Sequence, residues 1–555
     1  MKTGIWHNFS LGLLSFVLAG CPLAAQGSAS LETPGLKAEA GEQELSSGQE
    51  ASVTGAEQGA VAEVAMQEQK FVVGRIRLVS DDIKIRDFSE LLSPYENREI
   101  NMGELNDLCQ RLTKEVRSQG YPAAAVYIPG QSFNQGGELQ LRVAPGRYGE
   151  IRIDNESGLA DARVKGYLAG LKPGTIVESG ELEDAVYRLA KLGGVQVAGM
   201  LSAGAESGTT DLTVKLRPGK VATEIVYAEN YGTIAAGRYR YGLQGNVQLT
   251  GAAGTLDYAL VISNGKQHNY NLGYSQFVGH SGTRLGVHAS RGDYELGGVY
   301  RILGARGEAY TYGFSGITPL CSTWGHSLNF NYGYNYRLLE DEQRYFGVNP
   351  KKHSHSGYVG VDGLWRQGKG MFSYNLSMLA GFLGLDNDWA DALYGAADTE
   401  GRYNKGTLDV SYVQAFDRHW DVQLKFSGQM ATDNLDGSEE VVLGGINGVR
   451  AYPTGIGSGD EGYIGNVELR YHTKVPGLTL SAYLDGGQVF VTHDRDSFSY
   501  GKEIAKGWGL GLTYTKPGNY FLRLDYARRI GELRYYSDKD ARDRNRLWFM
   551  AGKVF

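Results

Sequence analysis

Two stretches near the C-terminal end hold residues that could do chemistry. The first reads Gly448-Val449-Arg450-Ala451-Tyr452-Pro453, followed by Gly459-Asp460-Glu461-Gly462, and the second reads Leu484-Asp485-Gly486-Gly487. A planar guanidinium can give a carboxylate two parallel hydrogen bonds. Taken alone, however, an arginine in a five-residue motif reads as a solvated loop side chain. Asp485 is more constrained. Leu478, Leu480, Ala482 and Leu484 share one face of an extended segment, so Asp485 points to the other. An enclosed carboxylate there needs a partner or water.

Other candidate chemistry is weaker. Gly363-Leu364-Trp365-Arg366-Gln367-Gly368-Lys369 has phosphate-loop spacing, but Gly370 stands where a Ser or Thr would hold Mg²⁺, and the flanks read as strands. Asp386-Asn387-Asp388-Trp389-Ala390-Asp391 could hold Ca²⁺, although an acidic turn is the plainer reading. The ten histidines show neither metalloprotease spacing nor a catalytic-triad order. Cys21, Cys109 and Cys321 lie too far apart for a zinc site or a disulfide framework. A net charge of −7 leaves no basic footprint for nucleic acid. The reading is of a protein that is not an enzyme and needs no cofactor or metal.

The elements that must position Arg450 and Asp485 alternate with period two. Tyr239, Tyr241, Leu243, Val247 and Leu249 oppose Arg238, Arg240, Gln244, Asn246 and Gln248; Tyr520, Leu522, Leu524 and Tyr526 oppose Arg523 and Asp525. With 79 Gly, 36 Tyr and only 13 Pro, the composition suits many strands with tight turns and interfacial aromatic rings. In an exported chain such a pattern needs a closed barrel, because closure satisfies every backbone group in lipid. The 335 residues from Val221 to Phe555 accommodate about 16 strands at roughly 10 residues each plus turns.

Export is read from the N-terminus. Lys2, an apolar stretch from Phe9 to Ala19 and then small residues form a secretory signal peptide, placed at 1–25. Leu18-Ala19-Gly20-Cys21 has the form of a lipobox that would lipidate Cys21, while Leu23-Ala24-Ala25 offers an ordinary cut before Gln26. A chain anchored by a barrel has no need of an acyl anchor. Residues 27–70 contain eight Glu and no aromatic residue, too little apolar surface to order alone. The span 26–70 is thus a disordered linker, with Gln49 to Gln69 able to form a helix if a site is supplied.

From Phe71 a β, helix, β, β order occurs twice. Val72–Val79 reads as a strand, Gly103–Gly120 as a helix with Leu105, Leu108, Leu112 and Val116 on one face, and Ala123–Ile128 and Glu138–Val143 as strands. Glu150–Ile153 and a helix from Glu181 to Leu192 repeat the first part. Leu139 to Gly146 is paralleled by Leu212 to Gly219, each ending Pro-Gly. Two tandem α+β units result, 71–146 and 147–219, ahead of a barrel at 220–555.

With these repeats, the Val449–Pro453 motif, Gly459–Gly462, the strand Val467-Glu468-Leu469-Arg470-Tyr471 and Asp485 in order, the chain resembles the outer-membrane transporters of two-partner secretion, the haemolysin secretion/activation family. The resemblance covers nearly all residues from 71 onward, and Glu229-Asn230-Tyr231-Gly232, leading to Gly237-Arg238-Tyr239-Arg240, looks like the family's barrel entry. It implies two periplasmic POTRA domains before a transmembrane β-barrel of about 16 antiparallel strands in the bacterial outer membrane. It implies that the motif tips a loop folded back into the pore, where Arg450 pairs with Asp485, and that the secreted partner exoprotein, a haemolysin or adhesin, is bound by the POTRA domains and exported or also activated. A barrel inserted in outer-membrane lipid by the barrel assembly machinery, acting as a monomer, completes the expectation. Phe555 supplies the terminal aromatic of the assembly signal, but Lys553 takes an alternate position that is usually apolar. The rival readings are an insertase of the same superfamily, a solute channel and a surface adhesin.

Overall fold

The computed structural model describes residues 70–131, 136–323, 325–395, 398–494, 501–531 and 542–555. The signal peptide, Cys21 and the segment 49–69 lie outside them.

The first α+β unit runs β1 (Phe71–Val73), β2 (Arg75–Val79), α1 (Ser89–Leu92), β3 (Arg98–Ile100), α2 (Met102–Ser118), β4 (Ala125–Tyr127) and β5 (Glu138–Ala144). The strand expected over Val72–Val79 is split. Its first part pairs with β3, while β2 joins a sheet ordered β2-β5-β4, parallel to β5. The break falls at Gly74, where a Cβ would overlap the Gly136 carbonyl. Helix α2 starts with a reciprocal cap: Asn101 Oδ1 accepts the Glu104 N–H at 2.8 Å and the Glu104 carboxylate accepts the Asn101 N–H at 3.3 Å. It buries Leu105, Leu108, Cys109, Leu112 and Val116 with Ile76, Leu139 and Leu141 of the sheet.

The second unit repeats the plan with β6 (Arg147–Asn155), α3 (Asp161–Tyr167), α4 (Ser179–Ala190), β7 (Val195–Ala203) and β8 (Thr209–Pro218). Its sheet is ordered β6-β8-β7, with β6 parallel to β8. Arg217 forks onto Asp154, Nη2 to Oδ2 at 2.8 Å and Nη1 to Oδ1 at 3.2 Å, tying β8 to β6. Strand β7 is a nine-residue edge with no further strand on its outer side among the described residues.

Burial pushes the Cys109 thiol up to about 11, so near pH 8 only about one part in a thousand is thiolate. Cys109 should resist thiol reagents in the native protein and react only on denaturation or at pH values approaching 11. Half-buried Cys321 serves as the internal comparison, read by mass shift before and after unfolding.

From Ala222 the chain forms sixteen antiparallel strands closed into one barrel, the first (Ala222–Glu229) pairing with the last (Asn545–Val554). An even number of strands puts the start of the first and the end of the last at the same rim. Outward positions carry exposed Tyr241, Leu272, Val287, Phe314, Leu376 and Leu484. Inward ones bury polar Asn335, Ser356, Gln423, Asp485 and Asp525. That inversion of a soluble core is what a lipid-facing barrel requires. No helix among the described residues is long and apolar enough to cross a membrane, and the strands do so instead.

The closing seam is short. Only Met550 to Val554 pair with the first strand, against nine paired residues between the last two strands. Beyond it the Asn230 side chain takes over the ladder: its Nδ2 donates to the Leu547 carbonyl at 2.8 Å and its Oδ1 accepts the Phe549 N–H at 2.8 Å. Lys553 shares the outward phase of Leu547 and Phe555, and its ammonium sits 4.5 Å from the Phe555 ring centroid, an amphipathic accommodation at the barrel rim. The phosphate-loop spacing falls on a β-hairpin, with a strand ending at Gln367 and the next starting at Gly370. In the acidic stretch, Asn387 caps a short helix, Asp388–Tyr394, and Asp386 pairs with His353 at 2.5 Å.

Candidate functional site

The segment 432–460, between the eleventh strand (Trp420–Ala431) and the twelfth (Glu461–His472), turns into the barrel. Its two limbs are zipped by a small ladder, Val441–Val442 against Ser458–Gly459. Its tip is Val449 to Pro453, all five residues buried. Leu443, Val449, Ala451 and Tyr452 pack on Ile464, Tyr483, Val489, Ala505 and Ala527 of the wall, so the loop has an apolar seat of its own.

Arg450 lies at the centre of that seat. Its Nε and Nη2 bond the two oxygens of Asp485 at 2.9 and 2.8 Å, and its backbone N–H adds a third bond to the same carboxylate at 3.1 Å. Nη1 reaches Glu468 at 2.8 Å and Asp525 at 3.4 Å. The guanidinium covers the Tyr483 ring, 3.2 Å from its centroid. The Arg450 carbonyl accepts the Trp548 indole N–H at 2.7 Å. Asn466 donates to Asp485 at 2.9 Å, and Arg523 bonds Asp525 at 2.7 Å. Two guanidinium groups thus meet three carboxylates, contributed by the twelfth, thirteenth (Leu478–Phe490) and fifteenth (Tyr520–Arg529) strands.

The rest of the motif holds the loop base. Asp460 accepts the N–H groups of Leu435 at 3.0 Å and His493 at 2.7 Å, and Glu461 accepts from the His493 ring at 3.1 Å. Gly459 and Gly462 lie against the Phe490 and Gln488 carbonyls. Phe555 is not part of this site. It lies at the rim where the first barrel strand starts, its N–H bonded to the Glu224 carbonyl.

Sequence reasoning passed over Glu468, Asp525, Tyr483 and Trp548 as partners of Arg450. A signal existed for two of them, since Glu468 and Asp525 occupy the same inward phase as Asp485. Gly507 was also missed. A Cβ there would press on that of Ala451 at 2.5 Å, so the wall is hollowed where the tip docks. Gly507→Leu should weaken docking by about 1–3 kcal/mol through overpacking. Faster protease cleavage of the loop in the intact barrel is the measurement, and a cleavage rate equal to that of the parent would refute it.

A closed sixteen-strand barrel with an internal loop pinned by buried charges, preceded by mixed α+β units, defines an outer-membrane transporter of the kind that moves proteins. The chain belongs to the haemolysin secretion/activation family: the model for haemolysin secretion/activation protein ShlB/FhaC/HecB matches residues 208–514, and that for the ShlB-type POTRA domain matches 67–146. Heme/hemopexin transporter protein HuxB of Haemophilus influenzae is 26% identical over 511 residues, 88% of each chain. Outer membrane transporter CdiB of Dickeya dadantii is 24% identical, covering 81% of this chain and 82% of that one. In fold, the chain is similar to CdiB from Escherichia coli, with a TM-score of 0.63 at 20% identity over 91% and 92% of the two chains. It is also similar to BamA from Haemophilus ducreyi lacking POTRA domains 1–3, at 0.52 and 17%, over 87% and 100%. The protein is a two-partner secretion transporter of the outer membrane that exports a partner protein, with its POTRA region in the periplasm. The rim where the first barrel strand starts and the last one ends is therefore periplasmic, and the segment 432–460 enters from outside.

Proposed function

We propose that the loop tipped by Val449–Pro453 is the gate of the export pore, closed while Arg450 is docked on Asp485, Glu468 and Asp525. The observation that carries this is the buried charge cluster that holds the loop tip inside the barrel. A loop with no role in gating would have no need of so costly an anchor. In this reading both α+β units are POTRA domains, 71–146 and 147–219. They receive the unfolded client by strand addition at free sheet edges such as β7, and main-chain bonds give affinity without strict sequence demands. The client threads the barrel at 220–555 and folds outside, which makes passage one-way. The transporter works as a monomer in outer-membrane lipid after insertion by the barrel assembly machinery, without enzymatic chemistry, cofactor or metal. Residues 1–25 are its signal peptide and 26–70 a linker that can also plug the pore.

Similarity to the heme/hemopexin transporter HuxB supports a client concerned with haem or hemopexin. The test is the culture supernatant of a strain lacking this gene. One large secreted protein should disappear and return on complementation, and growth on haem–hemopexin as iron source should be lost with it. Loss of many outer-membrane proteins with an unchanged supernatant would instead make the chain an insertase.

A further inference from the structure

The limb of the loop that leaves the eleventh strand is held by a set of partners separate from those of Arg450. Asp436 accepts from Lys352 Nζ at 2.6 Å, and both side chains are almost wholly enclosed, at 4% and 1% exposure. The Lys352 ammonium also lies 3.9 Å from the Tyr394 ring centroid and 3.9 Å from Asp341, whose oxygens accept the hydroxyls of Tyr294 and Tyr394. Three residues further on, Glu439 pairs with Lys405 Nζ at 2.7 Å and with Arg337, and it accepts the Tyr403 hydroxyl at 3.1 Å. The Glu439 carbonyl is bonded by Lys405 at 3.0 Å and Gln429 at 2.9 Å.

The charged partners and Gln429 come from the seventh (His326–Gln343), eighth (Lys351–Gln367), tenth (Gly401–Ala415) and eleventh strands, with Tyr294 from the fifth (Thr283–Glu295) and Tyr394 from the helix Asp388–Tyr394. Arg337 and Lys352 stand eight strands round the sixteen-strand barrel from Asp525 and Trp548, which touch Arg450. The loop is therefore fastened to two separate arcs of the wall, the seventh to eleventh strands at its outgoing limb and the twelfth, thirteenth, fifteenth and sixteenth at its tip. Freeing the tip alone would leave the 436–439 limb tied across the outer half of the lumen.

We infer that the pairs Asp436–Lys352 and Glu439–Lys405/Arg337 form a second latch, at the outer mouth, which must let go before the pore opens. Its chemistry suits a device that opens. A buried ion pair adds little stability over apolar packing of the same volume. Once parted, each charge is rehydrated by water entering the pore, whereas parted apolar surfaces would not be. Closed and open states of the limb can thus lie close in free energy. The inference builds on the gate reading, but its test needs no client.

The experiment is single-channel conductance of the full-length transporter in planar bilayers. Lys352→Met should raise the frequency of open events about tenfold, since it leaves Asp436 and Asp341 enclosed without their shared cation, and Asp436→Asn should raise it by less, since Lys352 keeps Asp341. Heat-modifiable gel mobility checks that the barrel is closed and folded. Independently, Lys352→Cys and Asp436→Cys, with Cys109 and Cys321 replaced by Ser, are bridged by a short bis-methanethiosulfonate reagent. The bridged protein should show no large openings, and reductant should restore them. Equal conductance of bridged and reduced protein would overturn the inference, as would folded single variants with the parent's open frequency. Failure of the export reading would show separately, in the supernatant of the deletion strain.

Discussion

Arg450→Ala should nearly abolish export while leaving barrel levels unchanged, because a tip that cannot seat on the wall hangs in the lumen from the limb still tied at Asp436 and Glu439, across the client's path. Removing the guanidinium leaves Asp485, Glu468 and Asp525 enclosed together with Arg523 as the one remaining cation of the cluster. Breaking a buried pair from one side costs about 3–5 kcal/mol, a shift of roughly a hundredfold or more in the docking equilibrium. From Arg450 and Asp485 alone, the double alanine variant would be expected to be little worse than either single one. The two further carboxylates change that expectation into an asymmetric one. Asp485→Ala leaves the arginine two partners and should be the milder change, whereas the double variant should export at least as well as Arg450→Ala, because it takes one carboxylate out of an over-acidic seat. Arg450→Lys should fall between, since an ammonium keeps the charge but cannot reach three acids in the planar fork. Export is read as client protein in the supernatant, against folded barrel on heat-modifiable gels. Normal export by Arg450→Ala would remove the loop tip from the mechanism.

Deleting Phe71–Pro218 should leave a barrel that inserts but exports nothing. These residues hold both mixed sheets with their free edges, and the barrel strands are all paired in a closed ring that offers an extended client no edge. The region purified alone should bind the N-terminal part of the client in a pull-down. Export by the barrel alone at the parent level would sink the idea. The deletion also distinguishes recognition from gating, because its channel conductance should persist where its secretion does not.

Period-two alternation made much of the barrel legible. It placed Asp485, Arg523 and Asp525 inward and Leu478, Leu480 and Leu484 outward, as in the structure, since one face must meet lipid. The long helix was equally readable, because Leu105, Leu108, Leu112 and Val116 recur at helical spacing and are all buried. Helices α1 and α3, of four and seven residues, are too short to show a period, and both were missed. Val72–Val79 looked continuous because strand propensity does not report that Gly74 passes the chain from one sheet to another. The latch residues were unreadable for a different reason. Alternation says which way Lys352 or Arg337 points, but not that Asp436, 84 positions after Lys352, or Glu439 meets it from a loop inside the lumen.

The short seam between the first and last strands also bears on how the barrel folds. Asn230 meets Leu547 and Phe549 across 317 and 319 residues of chain, whereas the other barrel strands pair with their sequence neighbours. Contacts of such separation carry the largest loop-closure entropy, so hairpin zippering should run ahead and ring closure should be the slow final event. Until then the sheet has two unpaired edges, the form in which strands recruit other chains. The Asn230 side chain, with one donor and one acceptor presented together, completes two ladder bonds without the backbone itself aligning there. Asn230→Ala should accordingly prolong the open-sheet intermediate during refolding into detergent micelles while leaving the finished barrel's strand order intact.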